Sequence, residues 1–244
     1  MINNCDFSLK HYISVLNDCK NNYVIGSIRE YDKIKTKEQY ILLRHDVDFS
    51  LDYALRMAEV EAKNDFRSTY FILLHSQHYN ALSEKNSLII KKIVDLGHDI
   101  GLHYDSRFLD YKNIIDEIKS EVRILENITK TKIISLAQHD VTITGMIQSR
   151  LSEEFIDARQ DDIVKSTTYI SDSVQNWRKG CMCMHMNKEK KIQILTHPIW
   201  WCERHMYRDI ILEKFYEEEN KKINENITAA KKHYTEYLNR EGKK

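Results

Sequence analysis

The chain has 244 residues, and its 37 Lys and Arg balance 37 Asp and Glu, so the formal net charge is zero. That length suits one domain, or two at most, and the missing basic excess excludes a dedicated binder of nucleic acid or of anionic membranes. With only 6 Gly and 1 Pro, collagenous, Pro-rich and Gly/Ser-linker architectures are excluded, and the position of each such residue becomes informative.

In chain order, the N-terminus shows no basic, apolar secretory leader. Residues 40–44 form a β-type run that ends in polar residues. Ser50 then opens a helix with Leu51, Ala54, Leu55, Ala58 and Ala62 at helical spacing. Residues 68–74 make a second strand. Residues 87–96 make a short helix closed by Gly97, where a left-handed residue is expected. Residues 99–103 make a third strand, and Asp110 starts a long helix with Ile114, Ile118, Val122 and Leu125 on one stripe. Strands follow at 133–137, 155–158, 167–170 and 192–196, and a helix runs from Arg208. Alternating strands and helices imply βαβ units and a parallel sheet or barrel. The longest apolar runs fall far short of the roughly 20 residues that span a bilayer. Five cysteines in no scaffold pattern suggest reduced thiols and a cytoplasmic protein.

The informative pattern lies where each strand stops: His45-Asp46-Val47-Asp48, His75, His103-Tyr104-Asp105, Gln138-His139-Asp140, Ser171-Asp172-Ser173 and Thr196-His197-Pro198. In a parallel α/β fold these ends share one rim, where barrels and open sheets carry their sites. Asp46 and Asp48, two apart on an extended segment, share a face. Their repulsion is relieved by a bound cation, which reads as a metal ligand plus a general base; the alternative is a helix cap with incidental acids. His103 is the preferred metal ligand, His139 a third, and His98, of opposite parity, is structural. His75 reads equally as a supporting group or a loop residue. Pro198 restricts His197 to extended geometry at the rim. Trp200 and Trp201 read either as a pocket wall or as core. Cys181-Met182-Cys183-Met184-His185 reads as a buried strand, with a zinc site as the alternative that lacks a second ligand pair. No phosphate-loop, dinucleotide, serine-hydrolase or zincin motif is present.

Five segments resemble the motifs of the polysaccharide deacetylase superfamily, metal-dependent carbohydrate N-deacetylases, over residues 40–201. These are Leu43-Arg44-His45-Asp46-Val47-Asp48, Ser68-Thr69-Tyr70-Phe71, Gly97-His98-Asp99-Ile100-Gly101-Leu102-His103, Ser171-Asp172-Ser173 and Leu195-Thr196-His197-Pro198. The R-H-D-V-D, G-L-H-Y-D and T-H-P-x-W-W versions resemble a bacterial subgroup tied to surface-polysaccharide biosynthesis. The resemblance implies a distorted (β/α)7-type barrel with extra N- and C-terminal helices, in a single domain over 1–244 with a helical extension at 204–244. It implies Asp46 as catalytic base, His197 as catalytic acid, and Asp48 and His103 as ligands of a divalent cation, zinc being the expected one. Arg107 stands where the family has its second histidine, so His139 is expected to supply the third ligand. Asp172, Asp105, His75 and Trp200 are expected to support the site or the substrate.

The expected function is removal of an N-acyl group, acetyl in the first instance, from an amino sugar or glycan precursor. Two alternatives stay open: a non-catalytic carbohydrate-binding or scaffold member of the fold, and another metal hydrolase such as a phosphoesterase. The expected partner is a carbohydrate, with no nucleic acid and no membrane span; the oligomeric state is open.

Overall fold

Residues 40–47 carry Ile, Leu and Val beside Arg, His and Asp, and all eight are buried. Such a run is a strand covered on both faces. In this computed structural model, which describes residues 5–147, 154–240 and 242, it is the centre of the sheet. The elements are α1 (Leu9–Cys19), β1 (Val24–Ser27), α2 (Tyr31–Ile34), β2 (Tyr40–Val47), α3 (Leu51–Lys63), β3 (Thr69–Ile72), α4 (Glu84–Asp95) and β4 (Asp99–Tyr104). There follow α5 (Ile114–Thr129), β5 (Ser135–Gln138), α6 (Val141–Thr144), β6 (Ile156–Asp157), α7 (Asp161–Ser166), β7 (Thr168–Ser171), β8 (Lys191–Thr196) and α8 (Arg208–Arg240).

All ladders are parallel, in the order β6-β5-β4-β3-β2-β8-β7, with β1 beside the first half of β2. Read as a circle, that order follows the sequence from β2 round to β8, which makes a curled (β/α)7-type barrel. Among the described residues no ladder joins β6 to β7, so the barrel is open at that seam. Side chains bridge it instead: the Arg159 guanidinium lies 5.5 Å from the Tyr169 ring centroid, and Gln193 donates to the Ala158 carbonyl at 2.7 Å.

Alternation along the strands sorts the core into two layers. Val47, Tyr70, Ile72, Ile100, Leu102 and Leu136 face outward and pack against apolar stripes of α3, α4 and α5, including Ala58, Ile90 and Ile118. Tyr40, Leu42, Phe71 and Ala137 face inward and are closed off by Ile28, Tyr31 and Ile34. Truncating a buried Leu or Ile of either layer to Ala costs about 2–5 kcal/mol. Gly101 is required by the inner layer, because a Cβ there would overlap the Phe71 ring and the Ser135 carbonyl. Gly97 has φ +92° after α4 and donates to the Val94 carbonyl at 2.8 Å, the left-handed stop expected of it.

Two sequence expectations fail here. The helix expected from Asp110 begins at Ile114. The Asp110 carboxylate instead accepts from the Lys112 amide at 3.0 Å and from the Asn113 side chain at 3.2 Å, a local turn that competes with helix. Residues 181–185 do not form a strand; Met182–Met184 is a single 3-10 turn. The chain divides into two compact units, Met1–His205 and Met206–Lys244. The second consists mainly of α8, in which Ile211 and Phe215 are buried. No helix among the described residues is long and apolar enough to cross a membrane.

Candidate active site

Strand register builds the site. β2 pairs with β8 so that His45 lies opposite Thr196, which brings the next residues, Asp46 and His197, to one level. β4 pairs with β5 so that His103 lies opposite Ala137 and Tyr104 opposite Gln138, and His139 follows. Inward parity then puts Arg44, Asp46 and Asp48 in one column at the carboxyl ends of the strands.

Asp46 is buried against Arg44, whose Nη2 lies 2.7 Å from Oδ1 and 2.6 Å from Oδ2, with Nε 3.1 Å from Oδ1. Burial opposes the Asp46 charge, but the Arg44 guanidinium, with His103 and His197 behind it, outweighs burial and holds the carboxyl below the usual carboxylate range. Removing one partner of such a buried pair costs about 3–5 kcal/mol, because the other charge is stranded.

Three donors converge beside Asp46. His103 spends Nδ1 on the Ala137 carbonyl at 2.9 Å, so Nε2 is the atom turned into the site. It lies 3.2 Å from His139 Nδ1, 3.4 Å from Asp48 Oδ1 and 3.5 Å from Asp46 Oδ2. His139 Nδ1 is 3.7 Å from Asp48 Oδ1. The His139 backbone is fixed by its amide donating to the Tyr104 carbonyl at 2.8 Å. Asp48 Oδ1 is buried and has no hydrogen-bond partner among the described residues.

Without a cation this arrangement is resolved only by a proton. Burial opposes charge on His103, yet Asp46 and then Asp48 outweigh it and raise its pKa. Burial, then the charge on His103, lowers that of His139. Burial would raise Asp48, but His103 holds it well below the carboxylate range. A carboxylate oxygen and two imidazole nitrogens within 4.8 Å of one another fit a divalent cation, which binds such donors at about 2.0–2.2 Å. Asp48 Oδ1 is the observation that decides the fit: it is buried, no hydrogen bond of good geometry reaches it, and the atoms nearest it are the two imidazole nitrogens that would share the cation with it.

Across the mouth, His197 has the extended backbone expected before Pro198, φ −108° and ψ 113°. Asp172, fully buried, receives the His197 Nδ1 contact at 2.6 Å, the His197 amide at 3.0 Å and Trp201 Nε1 at 2.8 Å. Nε2 therefore points back toward Asp48, 3.7 Å from Oδ2. Burial would lower the His197 pKa, but the Asp172 carboxylate outweighs it and raises it to about 9.

Of the expected residues, Asp46, Asp48, His103, His139, Asp172 and His197 come together. Three do not. His75 turns away, bonded to Glu121 at 2.8 Å and stacked on Phe108 at 4.5 Å, in a separate cavity of about 410 Å³. A turn after β3, with the Ser76 amide donating to the Leu73 carbonyl, carries it off the rim. Asp105 is held by Arg107, whose Nε lies 2.9 Å and 3.0 Å from its two oxygens; the two residues neutralise each other. Trp200 is only 4% exposed, which leaves no ring face for a sugar, and it packs near Phe49 at 5.9 Å.

Arg44 was missed as a functional position, although its parity with Asp46 was a usable signal; Trp201, expected as pocket wall or core, is buried and donates its indole N–H to Asp172. Also missed was the network behind β2. Glu61 of α3 accepts from Tyr12 at 2.5 Å, Ser68 at 2.7 Å and Tyr70 at 2.8 Å, and lies 2.9 Å from His45 Nε2. His98, as expected, is structural: it lies 3.0 Å from the Ala58 carbonyl and 3.6 Å from Glu61.

No protein-family model matches the sequence, and no curated protein matches it. Solved structures do. The peptidoglycan deacetylase PdaC from Bacillus subtilis is similar at 15% identity over 80% of this chain and 98% of that one, with a TM-score of 0.46. PdaA from Bacillus subtilis, a family 4 carbohydrate esterase, is similar at 17% identity over 77% of each chain, with a TM-score of 0.41. A CE4 family pseudoenzyme from Bacillus anthracis is similar at 18% identity and a TM-score of 0.42, over 75% of this chain; the match spans 62% of the pseudoenzyme's length.

Proposed function

We propose that the chain is a divalent-metal-dependent hydrolase that removes an N-acyl group, acetyl in the first instance, from an amino sugar or glycan precursor. The observation that carries this reading is the convergence at one mouth of three elements: the Asp48, His103 and His139 donors, the Arg44-clamped Asp46, and the Asp172-held His197. The motif resemblance to polysaccharide deacetylases points the same way.

Asp48, His103 and His139 would hold the cation, with zinc expected. When bound, it supplies Lewis acidity toward the amide carbonyl and the attacking water. The chain's own residues do the rest. Asp46, kept ionised by Arg44, takes the proton that water loses as its oxygen bonds to the acyl carbon. His197, protonated below about pH 9, gives its Nε2 proton to the amide nitrogen as the C–N bond breaks. An amide needs that proton because its nitrogen is a poor leaving group. Asp172 fixes the ring by binding Nδ1 and the backbone amide, so Nε2 faces the mouth.

The test is acetate and free-amine release from N-acetylated chito-oligosaccharides and from nucleotide-linked N-acetylated sugars. Turnover by the native chain and its loss in Asp48→Ala/His103→Ala support the reading. Undiminished turnover in that double variant overturns the metal-dependent mechanism. Sugar binding without turnover in the metal-loaded chain favours the non-catalytic alternative.

A further inference from the structure

A second set of donors lies outside this mouth. The Cys-x-Cys turn lacks a partner pair when its sequence neighbourhood is searched, but the fold supplies one from the far end of the chain. Cys5 Sγ is 3.2 Å from Cys183 Sγ. His11 Nε2 is 3.2 Å from Cys181 Sγ. The four donor atoms all lie within 4.8 Å of one another.

Local structure aims each of them. The 3-10 turn Met182–Met184, with the Met184 amide donating to the Cys181 carbonyl at 2.9 Å, turns Cys181 and Cys183 to one side. His11 sits in the first turn of α1, where the Ser8 hydroxyl accepts from its amide at 3.1 Å. Ser8 is itself fixed by Asp6, through its amide at 2.9 Å and its hydroxyl at 2.6 Å. His185, which alternating spacing would have added to the set, instead contacts the Lys179 carbonyl at 2.9 Å.

We propose that Cys5, His11, Cys181 and Cys183 form a structural zinc site. Three sulfurs and one imidazole are a soft donor set, and Cys₃His is one of the closed tetrahedral sets that structural zinc takes. The 3.2 Å sulfur separation is far beyond the roughly 2.05 Å of a disulfide, and all four groups are free thiols or imidazole. Cys181 and His11 are buried at 4% and 6% exposure, so a cation bound between them would be shielded from water. The set also differs in kind from the one at the mouth. There, one carboxylate and two imidazoles leave coordination positions open for chemistry; here, four donors fill the sphere.

The site would also brace the mouth. It closes a loop of more than 170 residues, and Phe7 lies between two of its ligands in sequence. Phe7 stacks on Trp177 at 5.8 Å and 14°, and tilts against Trp201 at 5.2 Å. Trp201 donates to Asp172, which holds His197. The backbone here is stitched to the same wall: the Leu9 amide donates to the Cys202 carbonyl at 2.8 Å and the Cys202 amide to the Phe7 carbonyl at 3.3 Å. Zinc at this position therefore pins the N-terminal segment against the aromatic layer behind His197.

The test uses the full chain, purified under reduction, and measures zinc per chain together with thiol reactivity. In an Asp48→Ala/His103→Ala background, which removes the donors of the mouth, one equivalent of zinc is expected to remain. Adding Cys5→Ser and Cys183→Ser is expected to remove it. Cobalt substituted into the first background is expected to show thiolate-to-metal charge-transfer absorption. Cys5 and Cys183, the two thiol ligands that are not buried, are expected to react slowly until a strong chelator is added, a measurement that needs no variant. No zinc in the Asp48→Ala/His103→Ala chain after reconstitution would overturn the proposal. So would fast, chelator-independent reaction of Cys5 and Cys183 in the zinc-reconstituted chain.

Discussion

Both faces of β2 bury polar residues, His45 on one and Arg44 and Asp46 on the other, and only the second leads into a chemically unfinished site. On the outer face His45 meets Glu61 and Thr196, and Glu61 also accepts from Tyr12, Ser68 and Tyr70. Both Glu61 oxygens are used. On the inner side Arg44 balances Asp46, but one buried Asp48 oxygen receives no well-formed hydrogen bond among the described residues, and two imidazole nitrogens face it and each other. A saturated network fixes structure; a crowded set of unshared lone pairs is a place for a cation. Burial and charge alone do not separate the two, whereas hydrogen-bond accounting does.

The contrast predicts opposite consequences for variants on the two faces. The largest effect on turnover is expected from His197→Gln, which should lower deacetylation by about 10²–10⁴-fold, far more than its loss of folded chain accounts for, although leaving the buried Asp172 without its charged partner should also lower the thermal transition. Glu61→Ala should do the reverse. It strands His45 and three hydroxyls in a dry layer and should cost about 3–5 kcal/mol in urea unfolding. The chain that remains folded should turn over normally. An activity loss in Glu61→Ala larger than its loss of folded chain would erase the distinction.

The Glu61 network also sets a pH limit. Burial would raise the Glu61 pKa, but His45 foremost outweighs it and holds the group at about 2 instead of the usual 4.5. A group with a depressed folded pKa stabilises above its unfolded value and loses that contribution as pH falls through the folded one. Stability should therefore drop by on the order of 3 kcal/mol between about pH 4.5 and 2. Unfolding curves across that window check it, and Glu61→Gln should flatten the dependence. The smallest effect is expected from His75→Gln. That side chain is 37% exposed and pairs with Glu121 outside the mouth; its loss should change stability by no more than about 0.5 kcal/mol and leave turnover intact.

Much of this was readable from the sequence because parallel strands end where apolar runs give way to polar clusters. That rule located Asp46, Asp48, His103, His139, Asp172 and His197. It misplaced His75, because a strand-end position does not reveal that the following turn swings outward. It also overrated Asp105, because the ion pair with Arg107 two residues on was not weighed. Glu61 was invisible among the charges of α3, where Glu59 and Lys63 flank it and only the fold shows that Glu61 is the one buried. The Cys-x-Cys turn looked incomplete because its partners, Cys5 and His11, lie some 170 residues away, a distance that no local pattern spans.

Anomalous scattering from zinc-soaked crystals of the full chain tests the central claim most directly. The account predicts a peak within coordination distance of Asp48 Oδ1, His103 Nε2 and His139 Nδ1, lost in Asp48→Ala/His103→Ala crystals. A reconstituted native crystal with no density between those three atoms, and with Asp48 Oδ1 hydrogen-bonded instead, would contradict it.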